Sequence, residues 1–138
     1  MQLEVKINLI LHATENEKKV LEELENYFHI DQNDLQVEQV SGHFNNPITL
    51  ISSKLKRKSA QEFVSLFFSK MKKEEFDDVF NYVEDYVTSS GLSLRISKQK
   101  LMSGILSMSK EDTIKINIST PVYVKNETKK IYQELMRK

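Results

Sequence analysis

The chain has 138 residues, 39% apolar and 29% charged, with 20 basic and 20 acidic residues, three histidines and no cysteine. That length suits a single soluble domain whose core needs no staples, and the missing cysteines exclude a disulfide scaffold, thiol nucleophiles and every thiolate metal site. The formal net charge of zero, taken as a total, argues against a nucleic-acid partner, since such domains are usually basic.

From the N-terminus, Leu3, Val5, Ile7, Leu9 and Leu11 alternate with Glu4, Lys6, Asn8, Ile10 and His12. Period two over ten residues predicts a strand with one buried face. Thr14-Glu15-Asn16-Glu17 has capping-box spacing and opens a helix whose stripe is Val20, Leu21, Leu24, Tyr27 and Phe28, ending near His29. Asp31-Gln32-Asn33-Asp34 reads as a turn. Leu35–Val40 and Ile48–Lys56 read as two strands of a hairpin, joined through Ser41-Gly42-His43-Phe44-Asn45-Asn46-Pro47.

Ser59-Ala60-Gln61-Glu62 is a second capping-box pattern. Behind it Ala60, Phe63, Val64, Phe67, Phe68 and Met71 step by three and four. Phe76, Val79, Phe80, Val83 and Val87 form a second stripe, roughly 120° round from the first, so a break is expected at Lys72–Glu75. Thr88-Ser89-Ser90-Gly91 would end that second helix. Leu92, Leu94 and Ile96 then mark a fourth strand, and Lys98–Leu106 a short helix or crossing with Gly104 at its turn. Ile114, Ile116 and Ile118 mark a fifth strand. Asn126 would cap a last helix bearing Ile131, Tyr132, Leu135 and Met136.

This order describes an α+β fold: two layers, a mixed or antiparallel sheet of about five strands, and helices packed on one face. Residues 1–121 form the domain and 122–138 an appended helix. The open sheet face should show Glu4, Lys6, Asn8, Arg95, Lys115 and Asn117 to solvent. No apolar run approaches the ~18 residues of a membrane span, and no leader pattern opens the chain, so a cytoplasmic protein without a membrane partner is expected.

No catalytic constellation stands out. His12, His29 and His43 lack the spacing of a helical metal site, and three glycines leave little room for a phosphate-cradling loop. Neither an enzyme nor a cofactor or metal is expected. Charge is more informative. Residues 15–38 carry −6, 39–73 carry +6, 74–86 carry −6 and 87–138 carry +6. Lys70-Lys72-Lys73 and Glu74–Asp78 lie where helix dipoles favour them. Lys54, Lys56, Arg57 and Lys58 instead precede a helix start, where the dipole disfavours cations, leaving either a solvated turn or an anion-binding patch. The phenylalanines other than Phe44 fit helix stripes, so base stacking on a sheet face is not expected, and any RNA would be held mostly by phosphate and sugar contacts.

Three segments, His12-Ala13-Thr14-Glu15, Gly42-His43-Phe44-Asn45-Asn46-Pro47-Ile48 and Leu92–Gln99 followed by Gly104, together resemble the archaeal family of predicted exosome-associated RNA-binding proteins. The resemblance runs in order over roughly residues 3–121. It implies a fold similar to that of the ribosomal protein that contacts 5S RNA, and binding of structured RNA without catalysis, with exosome components as further partners. On the matching segments it singles out His43, Asn45, Arg95, Lys98 and Gln99.

The expected RNA-binding set is therefore Lys54, Lys56, Arg57, Lys58, Arg95 and Lys98 for phosphates, with His43, Asn45 and Gln99 for sugar or backbone. The competing expectation is a protein-interaction or homodimerisation module, docking through a sheet edge or the C-terminal stripe.

Overall fold

The computed structural model describes residues 2–41 and 46–137. Six strands form one antiparallel sheet: β1 (Glu4–His12), β2 (Leu35–Ser41), β3 (Pro47–Lys56), β4 (Val87–Thr88), β5 (Gly91–Ser97) and β6 (Thr113–Ser119), in the order β2-β3-β1-β6-β5-β4. The alternation read from β1 is realised residue by residue, with Val5, Ile7, Leu9 and Leu11 buried and Lys6, Asn8, Ile10 and His12 exposed. Leu92, Leu94, Ile96, Ile114, Ile116 and Ile118 continue the buried side across β5 and β6.

Helices α1 (Glu17–Phe28), α2 (Arg57–Lys70), α3 (Lys73–Asn81), α4 (Val83–Tyr86), α5 (Lys98–Met102) and α6 (Thr128–Arg137) complete the fold. Their apolar stripes cover the buried sheet face, because a one-faced sheet is stable only when a second layer removes that face from water. A run of rings crosses this layer: Phe28 to Phe63 at 5.2 Å between centroids, Phe63 to Phe67 at 5.5 Å, Phe67 to Phe68 at 5.2 Å and Phe68 to Phe76 at 6.1 Å. The change of stripe between α2 and α3 is accommodated by extended backbone at Met71 and Lys72, at the leading edge of the expected break.

Element ends differ most from expectation. Asn16, not Thr14, caps α1 by accepting from the Lys19 N–H at 3.1 Å. Helix α2 begins at Arg57, ahead of the Ser59 box, without a side-chain cap. There the Arg57 N–H donates to the Leu3 carbonyl at 3.2 Å, and Arg57 sits at φ 55°. Residues 87–91 do not end a helix. The helical run stops at Tyr86, and Val87-Thr88 pair with Gly91-Leu92 as a tight hairpin, the sixth strand. Gly91 has φ 117°, and a Cβ there would lie 2.5 Å from the Ile118 carbonyl oxygen. A 3₁₀ turn, Lys125–Glu127, leads into α6 in place of an Asn126 cap. Helix α6 buries Tyr132, Leu135 and Met136 in the common core, and the Gln133 side chain donates to the Phe80 carbonyl at 2.7 Å. The C-terminal stripe is thus part of the fold and not a free docking face.

Candidate nucleic-acid interface

The uncovered face of the sheet carries the outward residues of every strand, and its register sets which of them are neighbours. Lys6 on β1 faces Lys54 on β3 and Asn117 on β6. One row along, Asn8 faces Ser52 and Lys115, and Lys115 faces Arg95 on β5. At the opposite flank Glu4 faces Lys56 and Ser119. Lys54 and Lys56 come from the first positive block of the sequence, Arg95 and Lys115 from the second. Folding brings these four cations onto one face, with Lys6 between them.

Two of these neighbours are like-charge cross-strand pairs, Lys6 opposite Lys54 and Arg95 opposite Lys115. Like charges directly opposite one another destabilise a sheet by some tenths of a kcal/mol. Glu4 offsets the first pair, its carboxylate lying 3.5 Å from Lys54 and 3.9 Å from Lys6. Among the described residues neither Arg95 nor Lys115 has an acidic partner within ion-pair distance. Arg57 and Lys58 are exposed at the β3–α2 junction, immediately beyond Lys56. Asn117 is engaged within the fold, accepting from Ser93 Oγ at 2.9 Å and donating to the Ser90 carbonyl at 2.8 Å.

Lys98 departs from its expected role. It is 2% exposed, and its ammonium donates to the Ile10 carbonyl at 2.7 Å and Glu15 Oε1 at 2.9 Å, with Asp112 Oδ1 at 3.0 Å. Buried and facing three oxygens, this ammonium is not presented to a phosphate. The same Glu15 oxygen accepts from the His12 N–H at 3.0 Å. Gln99 is exposed on α5, beside the end of β5. His43 and Asn45 lie outside the described residues.

Sequence reasoning left Lys6, Lys115 and Ile10 out of the site, although the signal was present in the alternation. The outward phase of β1 reads Glu4, Lys6, Asn8, Ile10, His12, and Lys6 and Ile10 share it. The inward phase of β5 reads Leu92, Leu94, Ile96, and its next member is Lys98. Period two already sends that lysine toward the interior.

No described residue on the open face is a phenylalanine or tyrosine, and His12 at the outward end of β1 carries an imidazole ring there. Phenylalanines and tyrosines occupy the helices and the turns around them. Among the described residues no three His, Asp or Glu side chains gather into a group that could hold a metal ion, and no helix is long and apolar enough to cross a membrane. Ile10, 47% exposed, lies directly opposite Leu50 at the end of the face where the outward residues turn apolar.

Residues 4–120 match the model of a family described as RNA binding. The chain belongs to that RNA-binding family. It is 29% identical over 126 residues to "RNA-binding protein PAB1135" of Pyrococcus abyssi, spanning 86% of this chain and 82% of that protein. It is also 32% identical over 112 residues to protein MJ0213 of Methanocaldococcus jannaschii, spanning 72% and 71% of the two chains. The crystal structure of protein AF2318 from Archaeoglobus fulgidus superposes with a TM-score of 0.81 over 98% of this chain and 99% of that one, at 22% identity, a likeness of fold. The span matched to the RNA-binding family covers the whole sheet and stops before α6, which completes the core.

Proposed function

We propose that this protein binds structured RNA without catalysing its reaction, laying the sugar–phosphate backbone along the open sheet face. Lys6, Lys54, Lys56, Arg95 and Lys115 neutralise phosphates there, with Arg57 and Lys58 extending the track at the β3–α2 junction and Gln99, His43 and Asn45 serving sugar or backbone. Membership of the RNA-binding family supports the ligand class, and the face supports the mode. The observation that carries the reading is the pair of self-repelling cation neighbours, because an anion laid across Arg95 and Lys115 relieves a repulsion that the fold itself leaves standing. The absence of phenylalanine and tyrosine from the described part of the face favours contacts to phosphate and shape over base stacking.

The family resemblance adds a place of work: an accessory of RNA processing in the cytoplasm, attached to the archaeal exosome. Co-sedimentation of the protein with a reconstituted exosome core, with and without RNA, tests that assignment separately.

Binding to a hairpin RNA followed by fluorescence anisotropy at 50, 100 and 200 mM salt tests the mode. Engagement of about four phosphates weakens affinity by roughly two orders of magnitude across that range. Lys54→Glu with Lys56→Glu should lower affinity at 50 mM at least about a hundredfold, with stability little changed because both side chains are exposed. Salt-independent binding, or none at 50 mM, would overturn the reading.

A further inference from the structure

The phosphate track accounts for one half of the open face. Beyond Asn8 and Ser52 the same strands turn apolar: Ile10 faces Leu50 across β1 and β3, and Leu50 faces Glu38 on β2. These residues floor and rim a shallow trough of about 720 Å³ that reaches from Gln36 on β2 to Lys115 on β6. An isoleucine held 47% exposed leaves about half of its apolar surface in water. Glu38 on the rim is an acceptor only, and it repels phosphate. The backbone of a bound RNA therefore has no reason to cross this end of the face, whereas a base does. A base has apolar faces for Ile10 and Leu50, and an edge of N–H groups for a carboxylate.

We infer that the trough seats one unpaired base of a bound stem, guanine above the others, so that the protein prefers a bulged or end-frayed duplex to a perfect one. This rests on the RNA-binding reading above and adds the class of RNA to it. The Watson–Crick edge of guanine offers adjacent N–H donors that match the two oxygens of Glu38, while the Gln36 and Asn8 amides on the same rim donate and accept. Two residues along a strand span ~7 Å, so the base seat and the nearest cation, Lys115, are one row apart. One nucleotide can then place its phosphate on the track and its base in the trough. Unpaired bases already displaced from a stack enter such a site without the energy of opening a pair.

The test compares a perfect RNA stem with the same stem carrying a single-guanosine or single-uridine bulge, by anisotropy at 100 mM salt. The guanosine bulge should bind about five- to tenfold more tightly than the perfect stem, and more tightly than the uridine bulge. Ile10→Ser with Leu50→Ser should erase the preference for a bulge and leave the perfect-stem affinity and its salt slope unchanged. Glu38→Gln should narrow the gap between guanosine and uridine only. Far-UV circular dichroism and a urea melt confirm the fold of each variant. Equal affinity for perfect and bulged stems, with salt dependence retained, overturns the base seat and leaves the phosphate track standing. No binding of any of the three RNAs overturns both. A dimer by sedimentation that dissolves in the Ile10→Ser, Leu50→Ser variant would assign the trough to a second copy of the chain and overturn the base seat.

Discussion

Arg95 near the end of β5 and Lys98 at the start of α5 stand three residues apart, and their surroundings are opposite. Arg95 projects from the open face toward solvent and toward another cation, Lys115. Lys98 continues the inward phase and is enclosed by Ile10, Glu15 and Asp112. The interior of the sheet tolerates a charge only when every donor has a partner, so the charge inside serves the fold. The outer face tolerates like charges side by side because water screens them, so the charges outside remain free to meet a ligand. Both cations belong to the same positive block of the sequence, and only the side of the sheet separates their roles.

The sharpest way to break that contrast is to remove Lys98. Lys98→Met keeps most of the apolar stem but leaves Glu15, Asp112 and the Ile10 carbonyl without their common donor. Glu15 and Asp112 are partly exposed and can recover water, so the expected loss of stability is about 2–3 kcal/mol, below that of a fully enclosed pair. A urea melt reads this directly. RNA affinity of the folded variant should stay within about twofold of the parent, since Lys98 donates to no outside group. A variant that keeps its stability but loses RNA would reverse the assignment of the two lysines.

Arg57 sharpens the contrast because fold and ligand want different residues there. Its φ of 55° lies in the left-handed region, which costs a bulky residue roughly 1 kcal/mol. Arg57→Gly removes both the strain and one cation. The expected outcome is a stability gain of up to about 1 kcal/mol together with weaker RNA binding and a salt slope lowered by about one. Parallel changes in both would mean that the side chain at this junction serves the fold.

On the helix side, Tyr86 gives a pH signature. Its hydroxyl donates to Asp78, and that bond, with burial and the nearby Asp85 and Glu75 carboxylates, pushes its pKa up to about 12. A phenol with a raised folded pKa contributes stability that is complete below about pH 10 and is lost as the pH rises from 10 toward 12. Tyr86→Phe should flatten that part of the stability profile, with an effect smaller than that of Arg57→Gly because the hydroxyl meets Asp78 at the solvent-exposed surface.

These contrasts also mark how far the sequence carries. Period two is set by the strand itself, so the faces of β1, β5 and β6 were legible, and with them the exposure of Lys6, Arg95 and Lys115. The α2 and α3 stripes were legible for the same kind of reason. Helix starts were not. The cap that local spacing offers at Thr14 falls to Asn16, and Arg57 begins its helix on the Leu3 carbonyl, 54 residues away. Segment charges located two positive blocks but could not say that only some strands of each would share a face. That requires the register of β3 on β1 and of β6 on β5. It is this register that overrides a net charge of zero.

Glu4 is where that cancellation survives on the binding face itself, and it yields the smallest of the expected effects. Its carboxylate lies within reach of both Lys6 and Lys54, and it stands opposite Lys56. In the free protein it relieves the repulsion between the two lysines. In a complex it competes with phosphate for the same ammonium groups and adds a like-charge repulsion of its own. Exposed ion pairs contribute no more than about 1 kcal/mol, so Glu4→Gln should lower stability by only a few tenths. It should strengthen RNA binding about two- to threefold at 50 mM salt, an advantage that fades by 200 mM as screening removes the difference. Weaker binding after Glu4→Gln would mean that the carboxylate positions the lysines for phosphate and does not compete with it.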